Sequence, residues 1–469
     1  MFRGIAVISC ASLAACQTFS QDGGMSVTAE IAGKTLNKNV AAIRSDEDAA
    51  AARAEVERLL KRPLTADSAV QIALLNNRGL QVAYNELGIA EAVRVQQSLP
   101  PNPHFSLTRM TGSVETEIER QIVASILALA TLPVRSEIAA DRFHQAQLAA
   151  ALETLRVAAE ARRAFYRAVA AQESVGLFAQ ANEAAGTMTQ LAKRLGETGA
   201  MNKLDQAREQ AFHSDVAVRL ASAQQRAARE RERLVRALGL WGNDLKFTLP
   251  KSLPALPKRP FALPTVEQEA VRRRVDLQIA RIELDTLAKA YGLTNATRFI
   301  DVLDAGYADK ITKDKETGET IRDRGFTLLF EVPLFDFGEA RVREAEQTYM
   351  QAVNRLAQKA VNVRSEAREA YRNYRSSYDI ASHYQRDVLP LRKIISDEMM
   401  LQYGAMQVDV FTLLLEAQQK LNANAAAADA FRDFWLASAD LSAAMTGGGV
   451  NPAEAPSVVS PAAGGSAGH

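Results

Sequence analysis

Two nine-residue stretches of this chain are near copies of each other. Residues 79–87 read GLQVAYNEL, and residues 276–284 read DLQIARIEL. The same correspondence recurs further along the chain, where EARRAF at 160–165 matches EAREAY at 366–371. Self-similarity of this kind marks a duplicated supersecondary unit. We therefore predict one structural unit that occurs twice.

Each copy contains a long segment with the apolar spacing of helices that pack along a seam. In the second copy, apolar side chains recur every three or four residues at Val342, Ala345, Tyr349, Ala352, Leu356, Ala360, Val363, Ala367, Ala370 and Tyr374. This spacing is typical of a coiled coil. A helix over residues 339–389 would be about 77 Å long at about 1.5 Å per residue. We predict a mainly α fold of long antiparallel coiled-coil helices with a small β part.

The helical spacing is lost in residues 103–133 and 299–333. Phe326, Leu328 and Phe330 lie on one face of a predicted strand, a pattern typical of a barrel strand with an apolar outer face. Residues 299–308 are predicted to pair with it, and the polar segment 309–324 is predicted to be an exposed loop. In the first copy, strand signals occur at Phe105, Leu107, Ile118, Ile122 and Ile126.

The strand pattern leaves two interpretations open. Four strands cannot close a barrel, and open strand edges are excluded from lipid. In one interpretation, three chains supply four strands each to a twelve-stranded transmembrane β-barrel. In the other, two small soluble hairpins cap a helical rod.

The amino terminus resembles a secretion signal. Met1-Phe2-Arg3 is basic, residues 4–13 are apolar, and small residues precede Cys16. The sequence Leu13-Ala14-Ala15-Cys16 resembles a bacterial lipobox, which implies cleavage before Cys16 and a covalent lipid on it as the only cofactor. By analogy with such lipoproteins, an aspartate after the cysteine would favour the inner membrane, so Gln17 at that position implies the outer membrane. The alternative is an ordinary signal peptide with an incidental cysteine.

These features predict six segments. Residues 1–15 are a signal peptide, and residues 16–62 are a lipid-anchored segment. Residues 63–249 and 265–446 are the two repeats, with strands near 103–133 and 299–333. A proline-rich connector at 250–264 joins the repeats, and residues 447–469 are a tail rich in Gly, Pro, Ser and Ala that is predicted to be disordered.

The composition argues against several classes of protein. The chain of 469 residues has 56 Lys and Arg against 55 Asp and Glu, so it lacks the basic surface of a nucleic-acid-binding protein. Two cysteines cannot form a disulfide framework. No run of about 18 apolar residues predicts a membrane-spanning helix. The five histidines lack metal-site spacing, and no phosphate-binding loop occurs, so we predict neither a metal site nor an enzyme.

Over residues 63–447 the chain resembles the TolC family of outer-membrane efflux proteins. The resemblance depends on five segments in a fixed order: PLT at 63–65, ALLNN at 73–77, LPPNP at 99–103, VPLFDFG at 332–338, and the stretch from Tyr403-Gly404 to LLLEAQ at 413–418. It implies a homotrimer with a twelve-stranded outer-membrane pore and a trimeric α-barrel of twelve long helices in the periplasm. It also implies an inner-membrane pump and a periplasmic adaptor as partners, with this chain as a passive conduit.

The resemblance also assigns candidate site residues. The turns that end the long helices match the adaptor-facing tips of the family; they are Gly199, Ala200, Met201, Gly404, Ala405 and Met406. The glycines are expected to adopt a positive φ at the helix ends. Asp409 and Asp205 are candidate gate residues, although Asp409 lies one residue closer to its glycine than the common family pattern. The alternative is an acid that is stabilised at a helix N-terminus.

Two functions remain in competition at this point. The first is the outer-membrane channel of a tripartite efflux system, and the second is a structural periplasmic coiled-coil lipoprotein without pore activity. The family exports drugs, metal ions and polypeptides, and the sequence leaves the substrate open. The form of the second turn resembles a subgroup loosely associated with metal tolerance.

Overall fold

The computed structural model describes residues 19–331, 335–447 and 449. The predicted signal peptide and its lipidated Cys16 lie outside these residues. The same is true of Val332, Pro333 and Leu334 in the VPLFDFG segment, and of residues 450–469 in the predicted tail.

The described chain is mainly helical, with one small sheet, as predicted. The helices are α1 (Ser26–Leu36), α2 (Asp46–Leu60), α3 (Ala66–Asn76), α4 (Arg78–Ser98), α5 (Ile126–Glu197), α6 (Lys203–Leu238), α7 (Val266–Arg273), α8 (Val275–Ala296), α9 (Glu339–His383), α10 (Leu389–Gly404) and α11 (Val410–Thr446). The strands are β1 (His104–Thr111), β2 (Glu115–Ser125), β3 (Leu303–Asp314) and β4 (Thr320–Phe330). None of the helices in the described ranges is both long enough and apolar enough to cross a bilayer.

The chain forms two compact units, and each unit takes segments from both sequence copies. Unit 1 comprises the described part of Met1–Thr28 together with Ala83–Ala150 and Asp276–Ala360. Unit 2 comprises Ala29–Val82, Ala151–Val275 and the described part of Val361–His469. The sheet belongs to unit 1, and both turns between long helices belong to unit 2.

The predicted seam of α9 is present. Every one of its ten positions is buried or half-buried, whereas most of the residues between them are exposed. In unit 2, Val363, Ala367 and Tyr374 join a core cluster with Phe434 of α11. Small side chains at seam positions let the helices approach closely, which explains the low aromatic content of 6%.

The ALLNN segment at the end of α3 holds the end of α6 in place. The Asn76 side-chain amide donates a hydrogen bond to the Gly239 carbonyl (2.6 Å), and that of Asn77 donates to the Ala237 carbonyl (3.1 Å). Gly239 ends α6 at a φ of +69°, and a Cβ there would lie 2.8 Å from the Asn76 carbonyl oxygen. Only glycine fits this close approach.

The prediction for the first β segment was wrong beyond residue 125. Ile126 is the first residue of α5 rather than a strand residue, and Pro133 lies inside this helix of 72 residues. A proline removes one helical hydrogen bond. A helix of this length, with many buried side chains in its central part, absorbs that loss.

The predicted loop at residues 309–324 was also wrong in extent. Strand β3 continues to Asp314 and β4 begins at Thr320, so residues 315–319 alone connect them. The charged side chains that suggested a loop are cross-strand neighbours of opposite sign, such as Asp309 opposite Arg324 and Lys310 opposite Asp323. Such pairs stabilise strands.

The long helix of the second copy does not end at residue 389. A π-helical segment at Tyr384–Val388 connects α9 to α10, and Pro390 lies in the first turn of α10. The Leu389 N–H donates to the Tyr384 carbonyl across this wider turn. Because proline has no N–H to donate, a change in the hydrogen-bonding step next to it lets the chain stay helical.

Candidate functional site

The four strands form one antiparallel sheet in the order β1-β2-β3-β4. The first copy supplies β1 and β2, the second supplies β3 and β4, and Ile122 opposite Tyr307 is one of the pairs that join them. Each copy therefore gives one hairpin, and β1 and β4 are left as edge strands.

One face of the sheet carries a row of large apolar side chains across all four strands. Directly opposed residues share a face, and the register places Phe105, Ile122, Tyr307 and Phe326 side by side. The Tyr307 and Phe326 rings meet edge to face at 5.7 Å. Phe326 is nevertheless 90% exposed and Phe105 64% exposed, so the described residues do not cover this row. We call this side of the sheet the aromatic face.

The opposite side, which we call the acidic face, carries most of the carboxylates of the sheet. They are Glu115, Glu117, Glu119, Asp304, Asp314 and Asp323. Lys310 is the one Lys or Arg among the strand residues of this face, and its Nζ lies 2.7 Å from Glu117 Oε1. The two faces of one sheet therefore differ sharply in polarity and in charge.

In unit 2, the first turn between long helices joins α5 to α6 through Gly199, Ala200 and Met201. Gly199 has a φ of +77°, as predicted for a helix end, and the N–H of Ala200 donates to the Leu195 carbonyl at 2.8 Å. Asn202 caps α6 by accepting a hydrogen bond from the Asp205 N–H at 2.9 Å. Asp205 thus lies in the first turn of α6.

The second turn is built differently, and the expectation for Gly404 was wrong. Gly404 is the last residue of α10, and its φ is not in the left-handed region. Met406 occupies that region instead, with a φ of 59°, and its side chain is 95% exposed. The turn closes through the Gln407 N–H, which donates to the Gln402 carbonyl at 2.9 Å. Gly404 and Ala405 therefore precede the reversal, and Met406 makes it.

Asp409 caps α11. Its Oδ1 accepts from the Thr412 N–H (2.8 Å) and from the Thr412 hydroxyl (2.5 Å). These hydrogen bonds, together with the charge of Arg208, lower the pKa of Asp409. A carboxylate at this position satisfies free N–H groups of the helix end, so it has a structural task whether or not it also acts as a gate.

Arg208 links the two turns, and nothing in the local sequence indicates this role. Its guanidinium lies 4.6 Å from the centre of the Phe411 ring, and its Nη1 lies 3.3 Å from Asp205 Oδ1. Asp205 and Arg208 are three residues apart on α6, a spacing that is typical of an ordinary helix-surface pair. The stacking on Phe411 of α11 appears only in the fold.

Two buried glutamates follow the turns at equivalent places. Glu209 and Glu416 each lie seven residues after the capping residue of their helix, and they are 2% and 6% exposed. Both carboxylate oxygens of Glu209 lack a hydrogen bond in the described structure, and burial raises the pKa of Glu209. Glu416 has Arg392 at 3.3 Å. Among the residues described here, no group of three His, Cys, Asp or Glu side chains is placed to hold a metal ion.

Comparisons with known proteins agree with this architecture. The sequence profile described as outer membrane efflux protein matches residues 266–396. The crystal structure of CusC superposes with a TM-score of 0.69 at 17% identity, over 83% of this chain and 94% of that one. The CmeC outer membrane channel of Campylobacter jejuni gives 0.68 at 17% identity, over 82% and 86%.

Residues 266–396 match the outer membrane efflux protein family.

A curated relative of the chain is the cobalt-zinc-cadmium resistance protein CzcC of Cupriavidus metallidurans, which is 24% identical over 289 residues. That alignment covers 60% of this chain and 66% of the relative, just under two thirds of its length. The efflux-protein profile covers α7, α8, both strands of the second copy and α9, and it ends within α10. The turn at Gly404, Ala405 and Met406 lies outside the matched residues.

Proposed function

We propose that this chain is the outer-membrane channel of a tripartite efflux system, a passive homotrimeric conduit that works with a periplasmic adaptor and an inner-membrane pump. The observation that carries the proposal is the sheet. A row of exposed aromatic and aliphatic side chains on one face suits lipid, and the acidic opposite face suits an aqueous lumen.

The two edge strands support the trimer. Strand edges are excluded from the hydrocarbon core because their N–H and C=O groups need partners. Three copies, with each β1 beside the β4 of a neighbour, satisfy these edges in a closed barrel of twelve strands. A lipid on Cys16 would anchor the assembly in the outer membrane.

The turns at Gly199 and Met406 are the proposed contacts with the adaptor. Arg208 fixes one turn relative to the other through Asp205 and Phe411, so the two ends are presented as one surface. Asp205 and Asp409 are the proposed gate residues. The acidic face of the sheet favours cations as cargo, and the resemblance to a cobalt-zinc-cadmium resistance protein supports metal cations in particular.

A structural spacer without a pore is the competing function. Phe105, Leu107, Phe326 and Leu328 are all more than 60% exposed on one face. Exposing such an apolar patch to water is unfavourable. This observation favours the channel.

The test compares two neighbouring substitutions on opposite faces. Phe326→Asp places a charge towards lipid and is expected to abolish membrane assembly, because a charged side chain at mid-membrane depth is costly. Thr327→Asp places the same charge on the acidic face and is expected to leave assembly intact. For both variants, the measurements are extraction by detergent, the trimer on gel electrophoresis before and after heating, and conductance in planar bilayers. Equal conductance from the two variants, or a water-soluble monomer after Cys16→Ala, would contradict the channel.

A further inference from the structure

On the aromatic face, the strand residues between the apolar row and the hairpin turns include many basic side chains. The next row across the sheet is Leu107, Arg120, Asp309 and Arg324, and the row after it is Arg109, Ile118, Ile311 and Arg322. Lys313 follows on the same face. We call Arg109, Arg120, Lys313, Arg322 and Arg324 the basic belt.

Asp309 is the one acid among these rows, and it positions part of the belt. Arg322 donates two parallel hydrogen bonds to Asp309, from Nε to Oδ1 at 2.7 Å and from Nη2 to Oδ2 at 2.8 Å. Arg324 Nε lies 3.4 Å from the same Oδ1. Asp309 is only 6% exposed beneath these side chains. One buried carboxylate therefore holds two guanidiniums at the surface and leaves the belt with a large positive excess.

The two remaining arginines of the belt have no such carboxylate partner within the described ranges. Arg109 and Arg120 are exposed, and neither forms an ion pair with the described residues. Apart from Asp309, the acids of the strands lie on the other face, so they cannot neutralise the belt from within the strand pairs. An exposed group of five cations at the border of an apolar surface is complementary to an anionic headgroup whose tail is apolar.

The position of the belt fits one leaflet. Helices α4, α5, α8 and α9 all adjoin the strand ends opposite the hairpin turns, so the belt lies on the far side of the apolar row from the helices. Successive rows on one face are two residues, or about 7 Å, apart. In a barrel whose helices extend into the periplasm, the belt is at headgroup depth in the outer leaflet.

We propose that the basic belt binds the phosphate groups of a phosphorylated glycolipid of the outer leaflet, with acyl chains lying along the row of Phe105, Ile122, Tyr307 and Phe326. This inference rests on the proposed channel, because it requires the aromatic face to meet lipid. Guanidinium forks match phosphate oxygens in two-bond geometry. Arg109 and Arg120 supply unpaired forks, and Asp309 keeps Arg322 and Arg324 oriented beside them.

The experiment uses the full-length protein purified in detergent and two probes, lipid A with both phosphates and the same lipid after their removal. Retained lipid is counted by native mass spectrometry. Wild-type protein is expected to retain the phosphorylated lipid and to lose it as salt rises. The double variant Arg109→Gln/Arg120→Gln is expected to bind it about 25-fold more weakly, at roughly fivefold for each basic side chain near an anionic surface. Lys310→Gln, on the acidic face, is the matched control and is expected to bind like wild type.

Three outcomes would overturn the headgroup site. They are equal retention of the dephosphorylated lipid, wild-type affinity in the double variant, and an equal loss in Lys310→Gln. Because both substituted arginines are exposed and unpaired, the double variant is expected to fold, and the salt dependence of wild-type retention provides a test that needs no variant. Conductance measured on the same preparations separates the two proposals. Normal conductance without phosphate-dependent binding would contradict the headgroup site and leave the channel proposal standing. A wild-type protein without conductance would contradict the channel.

Discussion

At the scale of single residues, Glu209 of unit 2 is a buried carboxylate whose charge is not compensated by hydrogen bonds in the described part of the chain. It is almost fully buried, and neither carboxylate oxygen accepts a hydrogen bond from the described residues. Burial disfavours the charged form, so the pKa of Glu209 lies above its ordinary value of 4.5. The folded protein then holds this proton more tightly than the unfolded chain does. The contribution of Glu209 to the free energy of unfolding is therefore fully present below pH 4.5, where the side chain is protonated. It is lost as the pH rises through the raised pKa.

We therefore predict that Glu209→Gln stabilises the protein at pH 7.5 and not at pH 4. The expected gain in the free energy of unfolding is about 1 kcal/mol, the order of cost of a buried polar group without a partner. Thermal denaturation of the detergent-solubilised protein at both pH values measures it. Glu183→Gln, at an exposed site on α5, is the control and should change neither value. A loss of stability in Glu209→Gln at pH 7.5 would show that the carboxylate has a partner in the assembled protein.

The two turn glycines provide a matched pair. Gly199 has a positive φ, so Gly199→Ala forces an L-residue into the left-handed region and should destabilise by about 1 kcal/mol. Gly404 has an ordinary helical backbone, and nothing lies within 4 Å of where its Cβ would be. Gly404→Ala should be neutral or slightly stabilising. The midpoint of thermal unfolding distinguishes them, and equal losses would mean that the second turn also depends on its glycine.

At the scale of elements, the proline-rich connector is tied down by tyrosines. The Phe261 N–H donates to the Tyr374 hydroxyl (3.0 Å), and the Tyr378 hydroxyl donates to the Pro257 carbonyl (3.0 Å). Trp435 Nε1 donates to the Pro254 carbonyl at 3.0 Å. A segment that cannot form regular structure thus satisfies its backbone through side chains of α9 and α11.

Removal of one of these hydroxyls should loosen the connector. Tyr378→Phe leaves the Pro257 carbonyl without its donor and should cost about 1 kcal/mol of unfolding free energy. It should also speed proteolytic cleavage within residues 250–264. Tyr291→Phe is the control, because the Tyr291 ring stacks on Tyr349 and its hydroxyl bonds to nothing in the described structure. Unchanged cleavage in Tyr378→Phe would mean that the remaining contacts suffice.

The elements also show what the sequence could and could not predict. The seam of α9 was predictable because one side of a helix is buried along its whole length, and every seam residue reports it. The ends of β3 and β4 were not predictable, because Asp309 and Lys310 look like loop residues until their partners across the strand are known. The roles of Arg208 and Glu209 depend on which helix faces them, and no local pattern encodes that.

At the scale of the whole molecule, the acidic face determines which ions the proposed conduit favours. Glu119 and Asp323 lie in one row, on either side of Lys310, and Lys310 is itself paired with Glu117. Three copies of this row would surround the lumen with uncompensated carboxylates. Such a ring raises the local concentration of cations and lowers that of anions, and salt weakens the effect.

We predict a cation-selective pore whose selectivity depends on this row. Glu119→Gln/Asp323→Asn removes two carboxylates per chain without altering side-chain size, so the preference for K⁺ over Cl⁻ should fall severalfold while the conductance of the open pore changes less. Reversal potentials in planar bilayers under a salt gradient measure the preference. Arg109→Gln changes charge on the other face of the same sheet and should leave the reversal potential unchanged. If Arg109→Gln shifts the potential and the double variant does not, then the aromatic face lines the lumen, and the orientation of the sheet proposed for the barrel is reversed.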